Sequence, residues 1–422
     1  MGRKPKASSG AASKGGSLPV LQERLLLNQF LCQQLGYENF KALREQLREQ
    51  REVWSNDGHS YFFYALRGTK GLKIAEDKLA EYDLRIKAHL DKMNRVRRPP
   101  VQLKYFQYLA LLFTEIYLDR LFNEREELRR DLNQFRQKTG WDIPNEFTES
   151  DLAKLAFWMA TGSGKTLIMH INLWQYLHYS VGKTSHDNIL LITPNEGLSR
   201  QHLEEFRKSG ISARHYGSSE VSLFGASGDE PVVTVIEITK LIVETDEESK
   251  SKRGKQNERR RGGGLSVEVD AFGSNNLLFV DEGHRGASGE VWRLARAKLA
   301  EKGFTFEYSA TFGQIVNGAD AKKRPALLEE YAKSILFDYS YPHFYADGYG
   351  KDYFILNLND KTNTFNDTFN EWIMLGNLLS FYEQCLVYDT HTEDMRSYNL
   401  EKPLWVFVGH SVTGGSKKED EE

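Results

Sequence analysis

Residues 155–166 read LAFWMATGSGKT, and residues 167–179 continue as LIMHINLWQYLHY. An apolar run that enters a glycine-rich loop and then a helix-like stretch predicts a strand, a loop and a helix in that order. Gly162 and Gly164 would let backbone N–H groups converge on phosphate oxygens at the positive N-terminal end of the helix. The stretch therefore predicts an α/β fold built around a phosphate-binding loop.

The side chains of this loop indicate a nucleotide with Mg²⁺. Lys165 would neutralise the outer phosphates, and the Thr166 hydroxyl would be a Mg²⁺ ligand. Met159 stands where the strict pattern has a glycine. A chance glycine-rich turn is the competing interpretation, which the flanking strand and helix disfavour. The predicted nucleotide-binding residues of the loop are Thr161, Gly162, Ser163, Gly164, Lys165 and Thr166.

A second signal lies at residues 277–284, LLFVDEGH, where an apolar strand runs directly into two acids. Asp281 would hold Mg²⁺, and Glu282 would polarise the water that attacks the terminal phosphate. Acids at the end of a strand are often only helix caps. The glycine-rich loop upstream favours the catalytic interpretation.

The surrounding sequence predicts a parallel sheet flanked by helices and preceded by a helical module. Short apolar runs at 155–160, 188–194, 232–238, 275–282 and 304–311 alternate with helix-like stretches, which is typical of βαβ units. The predicted organisation is a disordered basic tail (1–17), an N-terminal helical module (18–99), an ATP-binding lobe (100–345) with an inserted charged loop (244–264), a connecting segment (346–402) and a final segment (403–422).

Composition excludes several classes of protein. The 422 residues are 40% hydrophobic and 12% aromatic, which is ample for real cores. The 56 Lys and Arg against 59 Asp and Glu leave a net charge of -3, so a polyanion site must be local. Cys32 and Cys385 are too few for a disulfide framework or a cysteine-based zinc site. Without a membrane span or an apolar signal core, a cytoplasmic protein is expected.

Taken together, the ATGSGKT loop, the DEGH box and Ser309-Ala310-Thr311 resemble motifs I, II and III of superfamily 2 helicases of the DExH type. Their order is similar to that of the Res subunits of type III restriction enzymes and of related phage-defence helicases. Residues 191–201, LITPNEGLSRQ, resemble motif Ia, and residues 232–241, VVTVIEITKL, resemble motif Ib. The resemblance covers about residues 100–315 and implies a RecA-like lobe that uses ATP and Mg²⁺.

The resemblance also implies roles for single residues. His284, Ser309 and Thr311 would couple phosphate state to strand movement. The competing interpretations are a satisfied loop histidine for His284 and small residues that pack a strand end for Ser309 and Thr311. Gln107 would read adenine, with Tyr105 or Phe106 available to stack on it. The predicted nucleic-acid contacts near the helix that starts at about Leu198 are Pro194, Arg200 and Gln201.

Partners and rival functions follow from the same comparison. DNA is favoured over RNA as the nucleic acid, and a methyltransferase, a nuclease or a second-lobe chain is implied as a partner only by the family. One alternative is an ATP-binding switch or scaffold without DNA-stimulated turnover; another is the motor part of a restriction endonuclease. The charged loop at 244–264 is predicted to be a solvated insertion, with phosphate contact as the alternative.

Two features near the end of the sequence complete the expectations. Residues 404–413, LWVFVGHSVT, place Thr413 where a hydrolase nucleophile elbow needs glycine, so they are predicted to be the first strand of a second lobe. A RecA-like lobe needs on the order of 150 residues. The second lobe is therefore expected to be incomplete in this sequence.

Overall fold

The computed structural model describes residues 20–217, 231–242, 267–282, 289–350, 367–397 and 400–406. The predicted basic tail, the charged loop at 244–264 and His284 lie outside the described residues. The chain divides into two compact units, which comprise residues 1–351 and 352–422.

A series of helices precedes the sheet, as the sequence predicts. They are α1 (Leu26–Gln34), α2 (Phe40–Leu47), α3 (Tyr61–Arg67), α4 (Glu76–Val96), α5 (Tyr105–Asn123) and α6 (Arg125–Thr139). Local chemistry sets several ends: the side chain of Asn39 accepts a hydrogen bond from Ala42 N at the start of α2, and Ser60 does the same for Phe63 N at the start of α3. Gly140, with φ 64°, ends α6 in the left-handed conformation.

The first unit is organised around a seven-stranded, all-parallel sheet with the order β3-β4-β2-β7-β8-β1-β9. The strands in chain order are β1 (Lys154–Met159), β2 (Ile189–Thr193), β3 (Ala213–His215), β4 (Val233–Glu237), β5 (Leu241–Ile242), β6 (Val267–Glu268), β7 (Leu277–Asp281), β8 (Phe304–Ser309) and β9 (Ile335–Tyr339). The short strands β5 and β6 pair separately. All five predicted apolar runs are strands of the large sheet, which confirms the α/β class.

Further helices follow the strands of the large sheet. They are α7 (Lys165–Ser180), α8 (Glu196–Lys208), α9 (Gly289–Leu299), α10 (Phe312–Gly318), α11 (Arg324–Ser334) and α12 (Tyr341–Ala346). Since every strand is parallel, the loops that follow β1, β2, β7 and β8 lie along one edge of the sheet. The glycine-rich loop and the two acids are on this edge.

One hydrophobic core joins the N-terminal helices to the sheet. It includes Leu31 of α1, Leu90 of α4, Phe113 of α5 and Phe306 of β8, all nearly inaccessible to solvent. Helix α5 has buried residues around its whole circumference, which explains why its sequence lacks a polar stripe. The predicted helical module thus packs as part of the same unit as the sheet.

A buried polar network fixes α5 against α4 and α7, the helix that follows the glycine-rich loop. Glu115 on α5 is fully buried and accepts hydrogen bonds from Arg85 (2.8 Å), Gln175 (2.7 Å) and Tyr179 (2.6 Å). Burial raises the pKa of the Glu115 carboxyl, while the Arg85 guanidinium opposes that rise. The network therefore holds α7 in place behind the loop.

The second unit is described over α13 (Asp367–Thr390), α14 (Thr392–Ser397) and residues 400–406. Phe381 and Trp405 lie with ring centroids 5.4 Å apart. Residues 401–406 are neither helix nor strand, and the rest of the strand predicted from Leu404 lies outside the described residues. Over the described parts of both units, no helix combines the length and apolar character needed to cross a bilayer.

Candidate functional site

The glycine-rich loop leaves β1 and enters α7 through two left-handed glycines. Gly162 has φ +86° and Gly164 has φ +93°, a region that residues with a Cβ rarely adopt. A Cβ on Gly164 would also lie 2.5 Å from Gln107 Nε2. The backbone conformation therefore requires glycine at position 164, and a Cβ there would displace the Gln107 side chain.

The loop is held in shape from inside and from the neighbouring strand β9. Ser163 donates from N (3.2 Å) and from Oγ (2.6 Å) to the carbonyl of Ala160. Ala160 N in turn donates to the carbonyl of Tyr339 at 2.9 Å. Backbone N–H groups after position 163 are left at the start of α7, where a phosphate binds most readily.

Gln107 contacts the loop directly. Its Nε2 donates to the Ser163 carbonyl at 3.0 Å, and its Oε1 accepts from Lys104 N at 3.0 Å, which caps α5. A glutamine amide carries two N–H groups and two lone pairs, so one of each remains after these bonds with the described residues. Gln107 thus lies beside the loop, where the sequence places a base-reading residue.

The structure corrects the expectation that Tyr105 or Phe106 stacks on the nucleotide base. Tyr105 and Phe106 are each 3% exposed, and Phe106 is already stacked on Tyr339 with centroids 3.9 Å apart. Tyr105 donates its hydroxyl proton to Asp347. Neither ring can stack on a base, because both serve the core beneath β9, a strand that the apolar-run pattern did not include.

One other aromatic ring lies beside the loop, and a second ring packs against it. Phe344 Cζ lies 3.9 Å from the position of a Cβ on Gly162, and Tyr349 is 42% exposed. The two rings have centroids 5.5 Å apart and are inclined by 34°. They fall at the predicted end of the lobe, near residue 345, where no sequence pattern marks them.

Lys165 bridges the loop and the acidic motif. Its Nζ lies 3.4 Å from Glu282 Oε1 and donates to the carbonyl of Met159 at 3.3 Å. The side chains of Lys165 and Glu282 are only 12% and 15% exposed. Thr166 follows as the second residue of α7 and is partly buried. The structure thus brings together a cation and a carboxylate from two motifs far apart in sequence.

Asp281 ends β7, between β2 and β8, and is 7% exposed. Its Oδ2 lies 2.8 Å from His202 Nε2 on α8. Its Oδ1 is buried and has no hydrogen-bond partner among the described residues. An unpartnered buried carboxylate oxygen is costly unless a cation or its water occupies the position. This oxygen fits the preference of Mg²⁺ for oxygen ligands.

Glu282 has an unusual backbone. Its φ is 49°, which is rare for a residue with a side chain, and its N donates to the Tyr308 carbonyl at 2.9 Å. Ser309 Oγ donates to Glu282 Oε2 at 3.3 Å, and Thr311 N donates to Ser309 Oγ at 3.1 Å. Of the two residues expected to act in coupling, Ser309 therefore contacts the candidate general base, and Thr311 contacts Ser309.

Helix α8 presents the predicted nucleic-acid residues to solvent. The Asn195 side chain caps it by accepting from Leu198 N at 3.0 Å. Arg200 is exposed and pairs with Glu196 at 2.7 Å, and Gln201 is also exposed. Pro194 immediately precedes the cap. The opposite face carries His202, which is 3% exposed and which the sequence interpretation missed.

Two comparisons with known proteins bear on this arrangement. Residues 120–314 match the family model described as type III restriction enzyme, res subunit. The matched range includes the glycine-rich loop, helix α8, the acids after β7 and the serine and threonine after β8. A comparison with curated protein sequences gives no significant match.

Proposed function

Residues 120–314 form a DExH-type superfamily 2 helicase domain of the type III restriction res-subunit family, and on this basis we propose that the chain is an ATP-dependent DNA motor. ATP hydrolysis is the activity that such domains have in general. For this chain we further propose that Mg²⁺ and ATP bind at the loop after β1. DNA then moves along the edge of the sheet on which this loop lies. The pairing of Lys165 with Glu282 across the sheet is the observation that carries it.

The residues divide the chemistry among them. The backbone of residues 161–164 and the Lys165 ammonium bind the phosphates, and Asp281 and Thr166 hold Mg²⁺, which neutralises charge on the phosphates when it is bound. Lys165 exchanges Glu282 for phosphate oxygens, because both are anionic partners within reach of one flexible side chain. The carboxylate of Glu282 is then available to accept a proton from the attacking water.

The base of the nucleotide lies toward Gln107 and the rings of Phe344 and Tyr349. Gln107 supplies its remaining donor and acceptor, which suits the edge of adenine. The partly exposed rings supply apolar surface for stacking beside Gly162.

DNA is bound by its backbone at the start of α8. The N-terminal turn of the helix offers N–H groups to a phosphate, and Arg200 and Gln201 add contacts that carry no sequence information. Ser309 and Thr311 link phosphate state to strand movement through Glu282. His284 is proposed for the same role from its motif alone. Methyltransferase, nuclease or second-lobe partners, and a cytoplasmic location, remain proposals from the family resemblance.

A steady-state ATPase assay with and without duplex DNA tests the motor. The motor predicts turnover that DNA stimulates and that Lys165→Ala removes by weakening nucleotide binding. The competing switch predicts nucleotide binding that Lys165→Ala also weakens but no stimulation by DNA. Saturating DNA without any effect on turnover would therefore refute the motor and retain the switch.

A further inference from the structure

His202 occupies a position that none of the helicase motifs explains. It lies on the buried face of α8 and is 3% exposed, yet its Nε2 is 2.8 Å from Asp281 Oδ2. An ionised carboxylate only accepts hydrogen bonds, so His202 must donate from Nε2. This bond engages one carboxylate oxygen and leaves Oδ1, buried and unpartnered among the described residues, on its own.

We propose that His202 is a positioning residue that orients the Asp281 carboxylate for Mg²⁺. The proposal rests on the proposed function, since it assumes that Asp281 is the Mg²⁺ ligand. A carboxylate on a single Cβ rotates readily about its terminal torsion. The bond from His202 fixes that torsion, and the backbone of β7 fixes the position of the Asp281 Cα. Oδ1 is therefore held in a single orientation. Partners of this kind typically change metal affinity by about 10- to 100-fold.

The structure offers a matched control in His170. This histidine is fully buried on α7, stacks on Phe206 with centroids 4.5 Å apart, and hydrogen-bonds Ser209 Oγ from Nδ1 at 2.8 Å. His202 packs near the same ring, with centroids 6.4 Å apart. Both histidines therefore pack near Phe206, and of the two it is His202 that contacts Asp281 in the described part of the chain. Leucine at position 170 disturbs the packing without touching that carboxylate.

The experiment measures Mg²⁺ rather than turnover. A fluorescent ATP analogue is bound to the full chain in EDTA, and Mg²⁺ is then titrated to give the half-saturating concentration. His202→Leu should raise that concentration by roughly 10- to 100-fold while the affinity in EDTA stays within about twofold. His202→Gln, whose amide reaches as far as Nε2, should restore most of the wild-type value, and His170→Leu should leave it unchanged.

Several outcomes would overturn the proposal. These are an unchanged Mg²⁺ requirement in His202→Leu, an equal rise in His170→Leu, or no recovery in His202→Gln. If His202→Leu does not fold, His202→Asn replaces it, because the shorter amide stays polar but withdraws its N–H from Asp281. A wild-type chain whose nucleotide binding is indifferent to Mg²⁺ would overturn the proposed function as well, whereas the other outcomes leave that function standing.

Discussion

Gly164→Ala separates the two reasons for glycine in the loop. The backbone at this position has φ +93°, and a Cβ would lie 2.5 Å from Gln107 Nε2. The substitution therefore adds left-handed strain and also pushes Gln107 away from the Ser163 carbonyl. Gly162→Ala is the matched control, because φ is +86° there but the nearest atom to a Cβ is Phe344 Cζ at 3.9 Å, an ordinary contact.

The magnitudes follow from these contacts. A non-glycine residue in the left-handed region costs about 1–2 kcal/mol. Losing the hydrogen bond from Gln107 to Ser163 adds about 0.5–1.5 kcal/mol. We expect the free loop of each variant to leave this conformation and to regain it, at this cost, when phosphate binds. With about 1.4 kcal/mol per tenfold change in affinity, Gly162→Ala should then weaken nucleotide binding roughly 5- to 30-fold, and Gly164→Ala roughly 10- to 300-fold.

Equilibrium titration with a fluorescent ATP analogue measures both variants and a double-variant cycle with Gln107→Ala. In the Gln107→Ala background, the Cβ at position 164 no longer meets the Gln107 amide. Gly164→Ala should then weaken nucleotide binding by the backbone strain alone, about 5- to 30-fold. Equal losses for Gly162→Ala and Gly164→Ala, together with an unchanged cost of Gly164→Ala after Gln107→Ala, would refute the role given to Gln107. Circular dichroism confirms that each variant is folded.

Three further predictions concern stability and the nucleotide base. Burial lowers the pKa of His170 well below its usual 6.5, so the unfolded state binds the proton more readily than the folded state and stability is lost as pH falls below 6.5. Between pH 6.5 and 5.5, His170 should lower the free energy of unfolding by about 1 kcal/mol. Urea unfolding of His170→Leu should therefore show a smaller difference between the two pH values than the wild type. Gly303→Ala should destabilise the chain by about 1–3 kcal/mol or more, because its Cβ would lie 2.1 Å from the carbonyl oxygen of Asn276. Gly318→Ala is the control, because a Cβ at that position meets nothing within 4 Å. Equal melting temperatures for the two variants would contradict the clash. Tyr349→Ala should weaken binding of the ATP analogue by roughly 5- to 100-fold, since stacking on a base is worth about 1–3 kcal/mol. If the wild type and Tyr349→Ala bind inorganic triphosphate with the same affinity, the loss arises at the base. An equal loss of affinity for triphosphate would contradict stacking.

The strands were predictable where apolar runs are bounded by turn residues, as in β1 and β7. Strand β9 was not, because Ile335 begins it directly where α11 ends at Ser334, with no turn between them. That missed strand explains the wrong expectation for Phe106, whose ring stacks on Tyr339 of β9. Periodicity within one segment does not reveal which neighbour will cover an aromatic ring.

The residues of the candidate site also fall into those that the sequence predicts and those that it does not. The loop and the two acids were predictable, because each is a contiguous motif whose chemistry is carried by its own residues. The contact between His202 and Asp281 depends on β2 and β7 being neighbours, which places α8 beside the acids. Phe344 likewise reaches Gly162 only because β9 lies next to β1. Sequence spacing carries no information about such neighbours, whereas strand order does.

Hydrolysis of ATP by Glu282→Gln, measured in single turnover beside the wild type in the presence of Mg²⁺ and DNA, tests the proposed mechanism most directly. The Glu282 carboxylate lies 3.4 Å from Lys165 Nζ and accepts from Ser309 Oγ. Gln preserves the size of the side chain but cannot accept the proton, so ATP binding should be retained while hydrolysis falls by about 10²- to 10⁴-fold. Hydrolysis at the wild-type rate, with binding intact, would contradict the assignment of Glu282 as the general base and the motor built on it.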